Sequence, residues 1–196
     1  MTASMPSEAL DLVKEFEGYH KKLSDGRAAP YYCPAHVATV GYGTTYYEDG
    51  RLVRIGDPPI IRNRAEMLLS RQLLSYLAGV DATIKVAMHP LMRGACGSLS
   101  YNIGKAAFRR STAARMINQK RWPEVPRAWA MWRIGGGRVL AGLERRRQAE
   151  IVLFTIGLKE MRSGRVAPPV PTRKPVDQPS LWERLVEWMF GKPTAA

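Results

Sequence analysis

The run Asp57-Pro58-Pro59 separates two kinds of residue pattern in this sequence. Ahead of it, residues 37–47, VATVGYGTTYY, are β-branched and aromatic and read as a strand. Asp49-Gly50 signals a two-residue hairpin, and residues 51–55, RLVRI, read as the return strand. Proline cannot donate to a strand ladder, so the sheet stops at the Asp-Pro-Pro run. Beyond it the apolar residues recur with helical spacing. Strands confined to the start and helices afterwards predict an α+β fold, with one small antiparallel sheet near the N-terminus plus a helical lobe.

The helices can be placed from their caps. Ser7 reads as an N-cap, with Glu8 and Asp11 suited to the first-turn dipole. Ala9, Leu10, Val13 and Phe16 share a helical face, and Gly18 ends the helix with Glu17 in its last turn. Residues 24–35 read as loop. Past the prolines, Asn63 caps a helix carrying Met67, Leu68, Leu73 and Leu77. Pro90 opens another that runs to Asn102, and a third spans 106–118. Trp122-Pro123 starts a fourth, with Trp129 and Trp132 near its end, where they read as core. The glycines at 135–137 force a loop. Residues 140–156 form the last core helix, with Arg145, Arg146 and Arg147 on a solvated face or as a cation cluster facing an acidic polymer.

Residues 1–160 therefore make one domain. Residues 161–179 are a linker with prolines at 168, 169, 171, 175 and 179. Over 180–196, Ser180 and Glu183 form a capping box ahead of an amphipathic stripe of Leu181, Trp182, Leu185, Val186, Met189 and Phe190. That stripe folds back on the domain, lies in a membrane interface or docks a partner.

A formal charge of +13 favours anionic partners: nucleic acid, lipid head groups or an acidic wall polymer. Cys33 and Cys96 have no metal-type spacing; they are two free thiols or one bridge. His20, His36 and His89 are scattered and read as surface or loop residues, so no metal and no cofactor is expected. The N-terminus has no long apolar run, and no stretch reaches the ~18 apolar residues of a spanning helix. The expected place of synthesis is the cytoplasm, without a signal peptide.

Cleaving a glycosidic bond needs a proton for the leaving oxygen and a nucleophile or positioned water on the other side of the sugar. A carboxyl at a helix end, where negative charge is disfavoured, suits the first need. Thr39 or Cys33 suits the second. The stretch EFEGYHKKLSDGRAAPYYCPAHVATVGYGT then resembles the opening motif of phage-type lysozymes, glycoside hydrolase family 24. Glu17-Gly18, Tyr32-Cys33, Thr39 and Gly41-Tyr42-Gly43 fill its places, and Asn102 and Gly104 match the family's central helix-turn.

The resemblance implies a lysozyme-like catalytic domain over 1–160 and an endolysin. Such an enzyme cuts the β-1,4 bond between N-acetylmuramic acid and N-acetylglucosamine, with Glu17 as general acid and Cys33 and Thr39 at the attacking water. It implies substrate contact at Tyr32, Gly41, Tyr42 and Asn102. It also implies a monomer that reaches the wall in the periplasm after holin-type release or by entry from outside, while the basic surface and C-terminal helix themselves suggest contact with anionic membrane or lipopolysaccharide. Two departures stand out. Residues 24–30, SDGRAAP, look like an insertion that brings in Asp25 as a substitute carboxylate ranked below Cys33, and Thr44 stands where the family often has His. A thiol is a weak base at neutral pH, and His36 and Arg27 are the cations that would favour its ionised form. The rival readings are a lytic transglycosylase, which needs only the acid, and a basic nucleic-acid-binding module.

Overall fold

The computed structural model describes residues 5–164. The linker and amphipathic-helix expectations for 165–196 lie outside the described residues. The order of elements is α1 (Ser7–Glu17), β1 (Tyr31–Tyr32), β2 (Ala38–Thr39), α2 (Arg62–Thr83), α3 (Pro90–Ile103), α4 (Lys105–Arg110), α5 (Thr112–Asn118), α6 (Val125–Ala130), β3 (Ile134–Gly135), β4 (Arg138–Val139) and α7 (Ala141–Arg162). Short 3₁₀ turns at Trp122–Glu124 and Met131–Arg133 flank α6. The α+β expectation holds. Of the described residues, Val13–Ser75 make one compact unit and the rest make the other.

The unit of Val13–Ser75 is organised by one turn used three times. In each, the chain reverses over three residues. Gly26 donates to the Leu23 carbonyl while Leu23 donates to the Arg27 carbonyl. Gly50 and Tyr47 do the same with Tyr47 and Arg51, and His36 and Cys33 with Cys33 and Val37. The last turn residue has positive φ in every case, at 83°, 84° and 56°. This is a type I turn followed by a left-handed residue, which glycine adopts without strain and histidine tolerates. The sequence Asp-Gly-Arg writes two of the three turns: Asp25 and Asp49 each accept from the arginine backbone N–H two residues on, at 3.0 and 2.9 Å. Pro34 presets the third.

Several strand expectations change here. Asp49-Gly50 does turn a hairpin, with Tyr46 opposite Leu52, but through a three-residue loop. Residues 37–47 are not one strand, because Gly41 and Gly43 both take positive φ and Val40 pairs with Thr44 around Tyr42. The expected loop 24–35 contains β1, which pairs antiparallel with β2, Tyr31 opposite Thr39 and Tyr32 opposite Ala38. The inserted segment is ordered too: Ala28 bridges Lys22 on one side and Ile60 on the other, and the Tyr19 hydroxyl donates to the Gly26 and Ile60 carbonyls.

In the other unit α3 packs along α7. Met92, Ala95, Cys96 and Leu99 of α3 and Leu153 and Phe154 of α7 are buried. A Cβ on Gly157 would meet the Met92 backbone nitrogen at 2.8 Å, so only glycine lets α7 approach this closely. Cys33 and Cys96 are both free thiols, and burial pushes the Cys96 thiol up, with the Glu150 charge adding to it. The helix expected over 106–118 is broken at Ser111, whose hydroxyl caps α5 by accepting from Ala114 N–H at 3.0 Å. Ser7 and Asn63 are helical residues rather than caps; the Pro6 and Ile61 carbonyls accept the first-turn N–H groups. The glycine loop turns the β3–β4 hairpin on Gly136 and Gly137, both left-handed.

The main correction concerns α7. Arg145 is exposed, but Arg146 and Arg147 are 4% and 1% exposed and surround Glu150, which has no exposed surface. One Glu150 oxygen accepts from Ser98 Oγ at 2.7 Å, Arg146 Nε at 3.2 Å and Arg147 Nη2 at 3.1 Å. The other accepts from the indole of the fully buried Trp129 at 2.9 Å. Burial pushes the Arg147 guanidinium down from its ordinary value. The two cations are tolerated because the carboxylate and its hydrogen bonds replace water.

Candidate active site

Every candidate catalytic residue falls in the unit of Val13–Ser75. Glu17 is the last residue of α1 and is half-buried. Gly18, at φ 74°, ends the helix with its N–H on the Lys14 carbonyl at 3.0 Å. A helix C-terminus leaves carbonyls without intrahelical partners. Here His20 supplies one: its Nε2 donates to the Glu17 carbonyl at 2.7 Å. The His20 backbone N–H donates to the Gly41 carbonyl at 3.1 Å, and its ring lies against Tyr31 with centroids 5.5 Å apart. His20, read from sequence as a surface residue, is thus the joint between the acid-bearing helix end, the Gly41 turn and the sheet.

Tyr31 continues the connection. Its carbonyl accepts the Thr39 hydroxyl at 3.3 Å, across the pair that the two residues form in the sheet. Thr39 is 3% exposed. Its one proton is committed to that bond, while its oxygen keeps acceptor capacity. Cys33 follows two residues after Tyr31, half-exposed, and its N–H continues the ladder to Val37. Alternation along the strand puts Tyr31 and Cys33 on one face, and Thr39, opposite Tyr31, shares it. Diagonal neighbours on such a face are about 7–8 Å apart at Cα.

The other candidates divide by burial. Tyr32 is 61% exposed and presents an open ring. Tyr42 is buried, tilted on Tyr19 at 5.3 Å, and burial raises its hydroxyl pKa. Gly41 is buried, and a Cβ there would lie 2.7 Å from the Ala65 methyl. Neither has a free face for a sugar, so both serve the turn. Asn102 is exposed at the end of α3 in the other unit, where its Oδ1 accepts from Arg147 Nη2 at 3.0 Å.

Asp25 is occupied as well. It holds the Arg27 side chain at 2.7 Å and its backbone N–H at 3.0 Å, and these bonds keep the carboxyl below its ordinary range. That pairing also corrects the idea of Arg27 as a cation for the thiol. His36 does sit in the Cys33 turn, through its backbone. Among the described residues no group of three or more His, Cys, Asp or Glu could hold a metal ion, and no helix is long and apolar enough to cross a membrane.

Sequence reading missed His20 and Tyr31. A usable signal was present: a donor side chain two residues past a helix-ending glycine is placed to cap the last carbonyls.

Comparison with known proteins gives the family. A family model described as phage lysozyme matches residues 14–150. The endolysin of Bacillus phage B103 is 31% identical over 151 residues, 76% of this chain and 52% of that one, so the chain spans about half the length of that relative. A solved P22 lysozyme variant is 27% identical with a TM-score of 0.67, covering 78% of this chain and 98% of that one. The muramidase domain of SpmX from Asticaccaulis excentricus is 28% identical with a TM-score of 0.61, covering 76% and 96%.

Proposed function

Since the chain belongs to the phage lysozyme family, we infer that it is a peptidoglycan hydrolase of the endolysin type, cutting the β-1,4 bond between N-acetylmuramic acid and N-acetylglucosamine. One observation carries the reading at residue level. Glu17, at a glycine-terminated helix end, is joined through His20 and Tyr31 to the sheet face that bears Thr39 and Cys33.

In this reading the Glu17 carboxyl gives its proton to the glycosidic oxygen as the bond to the anomeric carbon breaks. A water between Thr39 Oγ1 and Cys33 Sγ donates its hydrogens to these two acceptors. A lone pair is then left to attack the anomeric carbon from the opposite face. The new carbon–oxygen bond inverts that centre, and the surplus proton leaves through the thiol or solvent. Glu17 regains its proton from water. Tyr32 offers an exposed ring for a sugar, on the strand face opposite the one that bears Cys33 and Thr39. The comparisons favour neither the transglycosylase nor the nucleic-acid reading. Release through a holin-type pore, a monomeric state and attraction of the surplus positive charge to the anionic envelope complete the proposal.

The test is turbidity clearing of purified peptidoglycan with product analysis. Wild type should release reducing muramic acid ends. Glu17→Gln should lose at least about a thousandfold in rate while staying folded, as expected when a general acid is removed. Products ending in 1,6-anhydro sugars, or a fully active Glu17→Gln, would overturn the reading.

A further inference from the structure

Away from the candidate active site, the helical unit holds a groove of about 480 Å³. Its lining includes Thr83 from the end of α2, Arg109 and Arg110 from the end of α4, Arg115 and Asn118 from α5, and Gln119; no lining residue is acidic. The volume lies within the range of small-ligand sites, about 300–1,000 Å³.

The polar groups of the floor are satisfied within the protein. Asn118 accepts from Lys85 N–H at 2.7 Å and donates to the Thr83 carbonyl at 3.0 Å, while the Thr83 hydroxyl donates to the Gly79 carbonyl at 2.8 Å. The cations are not. Arg27, Arg51, Arg64, Arg93, Arg121 and Arg133 each hold a carboxylate. Among the described residues, Arg109, Arg110 and Arg115 hold none, although they converge on one concavity. Like charges gathered without a counter-charge raise the local potential, and a recess focuses it. The planar guanidinium fork matches a phosphate oxygen pair, and three forks suit a group carrying more than one negative charge.

We propose that this groove is a binding site for a phosphate ester, supplied by a lipid headgroup or by a soluble organophosphate. The proposal gives the envelope contact inferred above a location, and its test does not depend on wall cleavage. The full chain is titrated with inorganic pyrophosphate by calorimetry. In a second arm it is mixed with phosphatidylcholine vesicles with and without phosphatidic acid. The variant is Arg109→Gln/Arg110→Gln/Arg115→Gln. The control, Arg127→Gln/Arg138→Gln/Arg145→Gln, removes the same charge at exposed positions outside the groove lining.

The groove variant should lose about tenfold or more in pyrophosphate affinity, the scale of losing charge-assisted hydrogen bonds, while the control stays near wild type. Both variants should clear purified peptidoglycan as wild type does, so failure of the site and failure of the enzymatic reading remain separable. Given that pattern, binding to phosphatidic acid vesicles identifies the lipid source and its absence the soluble one. Equal weakening of both variants, no saturable pyrophosphate binding, or tighter binding of duplex DNA than of pyrophosphate would overturn the proposal in favour of diffuse charge attraction.

Discussion

Replacing Glu150 by Gln preserves its shape and removes the charge at the centre of the helical unit. Native Glu150 takes hydrogen bonds from Ser98, Arg146, Arg147 and Trp129 on its two oxygens. A side-chain amide in its place would have one acceptor oxygen, and the amide hydrogens would face donors. The Arg147 guanidinium, with a side chain 1% exposed, would lose the counter-charge that Glu150 supplies. Breaking a buried pair from one side costs about 3–5 kcal/mol. The isosteric change keeps the packing, which places the expectation near the lower end, about 3 kcal/mol. At roughly 2–4 °C per kcal/mol for a protein of this size, Tm should fall by about 6–12 °C. The comparison is Glu144→Gln, which breaks the Arg133 pair at 2.8 Å between side chains 44% and 39% exposed. Water screens that pair, so its loss should cost less than about 1 kcal/mol. Urea unfolding of the two variants decides the matter. A Glu150→Gln cost within about 0.5 kcal/mol of the Glu144→Gln cost, close to the scatter between surface substitutions, would refute the argument that burial makes this cluster expensive to break.

Two further outcomes follow from the unit of Val13–Ser75. His20→Ala removes the donor to the Glu17 carbonyl and the ring against Tyr31, so kcat on solubilised wall fragments should fall about tenfold through loosened positioning, with KM unchanged. His20→Gln, which keeps a donor, should recover most of the rate, and equal rates in all three proteins would remove His20 from the positioning role. The Arg64 fork holds Glu48 at 2.8 and 3.0 Å and lowers its pKa from the ordinary 4.5 to about 2. A depressed carboxyl stabilises the fold above its unfolded pKa and loses that contribution as pH falls through the folded one. Glu48→Gln should therefore be less stable than wild type at pH 7, by about 1 kcal/mol or less because the pair is solvent-screened, and indistinguishable from it below about pH 2. A gap in Tm that persists at the acidic end would contradict the assignment.

Local chemistry was legible wherever it acts within a few residues. The Gly18 stop that leaves Glu17 at a helix end, the Pro90 start of α3 and the Asp49-Gly50 reversal all depend on φ preferences and nearby hydrogen bonds, which the sequence carries directly. Where local signals were misread, the cause was competition between them. In residues 37–47 strand-forming side chains surround Gly41 and Gly43, and the left-handed glycines won. In the insertion, Asp25 looked like a spare catalytic carboxylate, but Asp-Gly-Arg is turn chemistry and consumes the acid.

By itself, the sequence determined where helices end, where the chain reverses and which residue types lie near Glu17 along the chain. Tertiary structure decided whether each charge is used by solvent or by the interior. ERRRQAE reads as a solvated run because helical spacing cannot report what faces Arg146, Arg147 and Glu150. Glu150 takes hydrogen bonds from Ser98 in α3 and Trp129 in α6, 52 and 21 residues away. Burial of a charge is stable only when distant donors and acceptors converge on it, and that convergence exists only once the chain has folded.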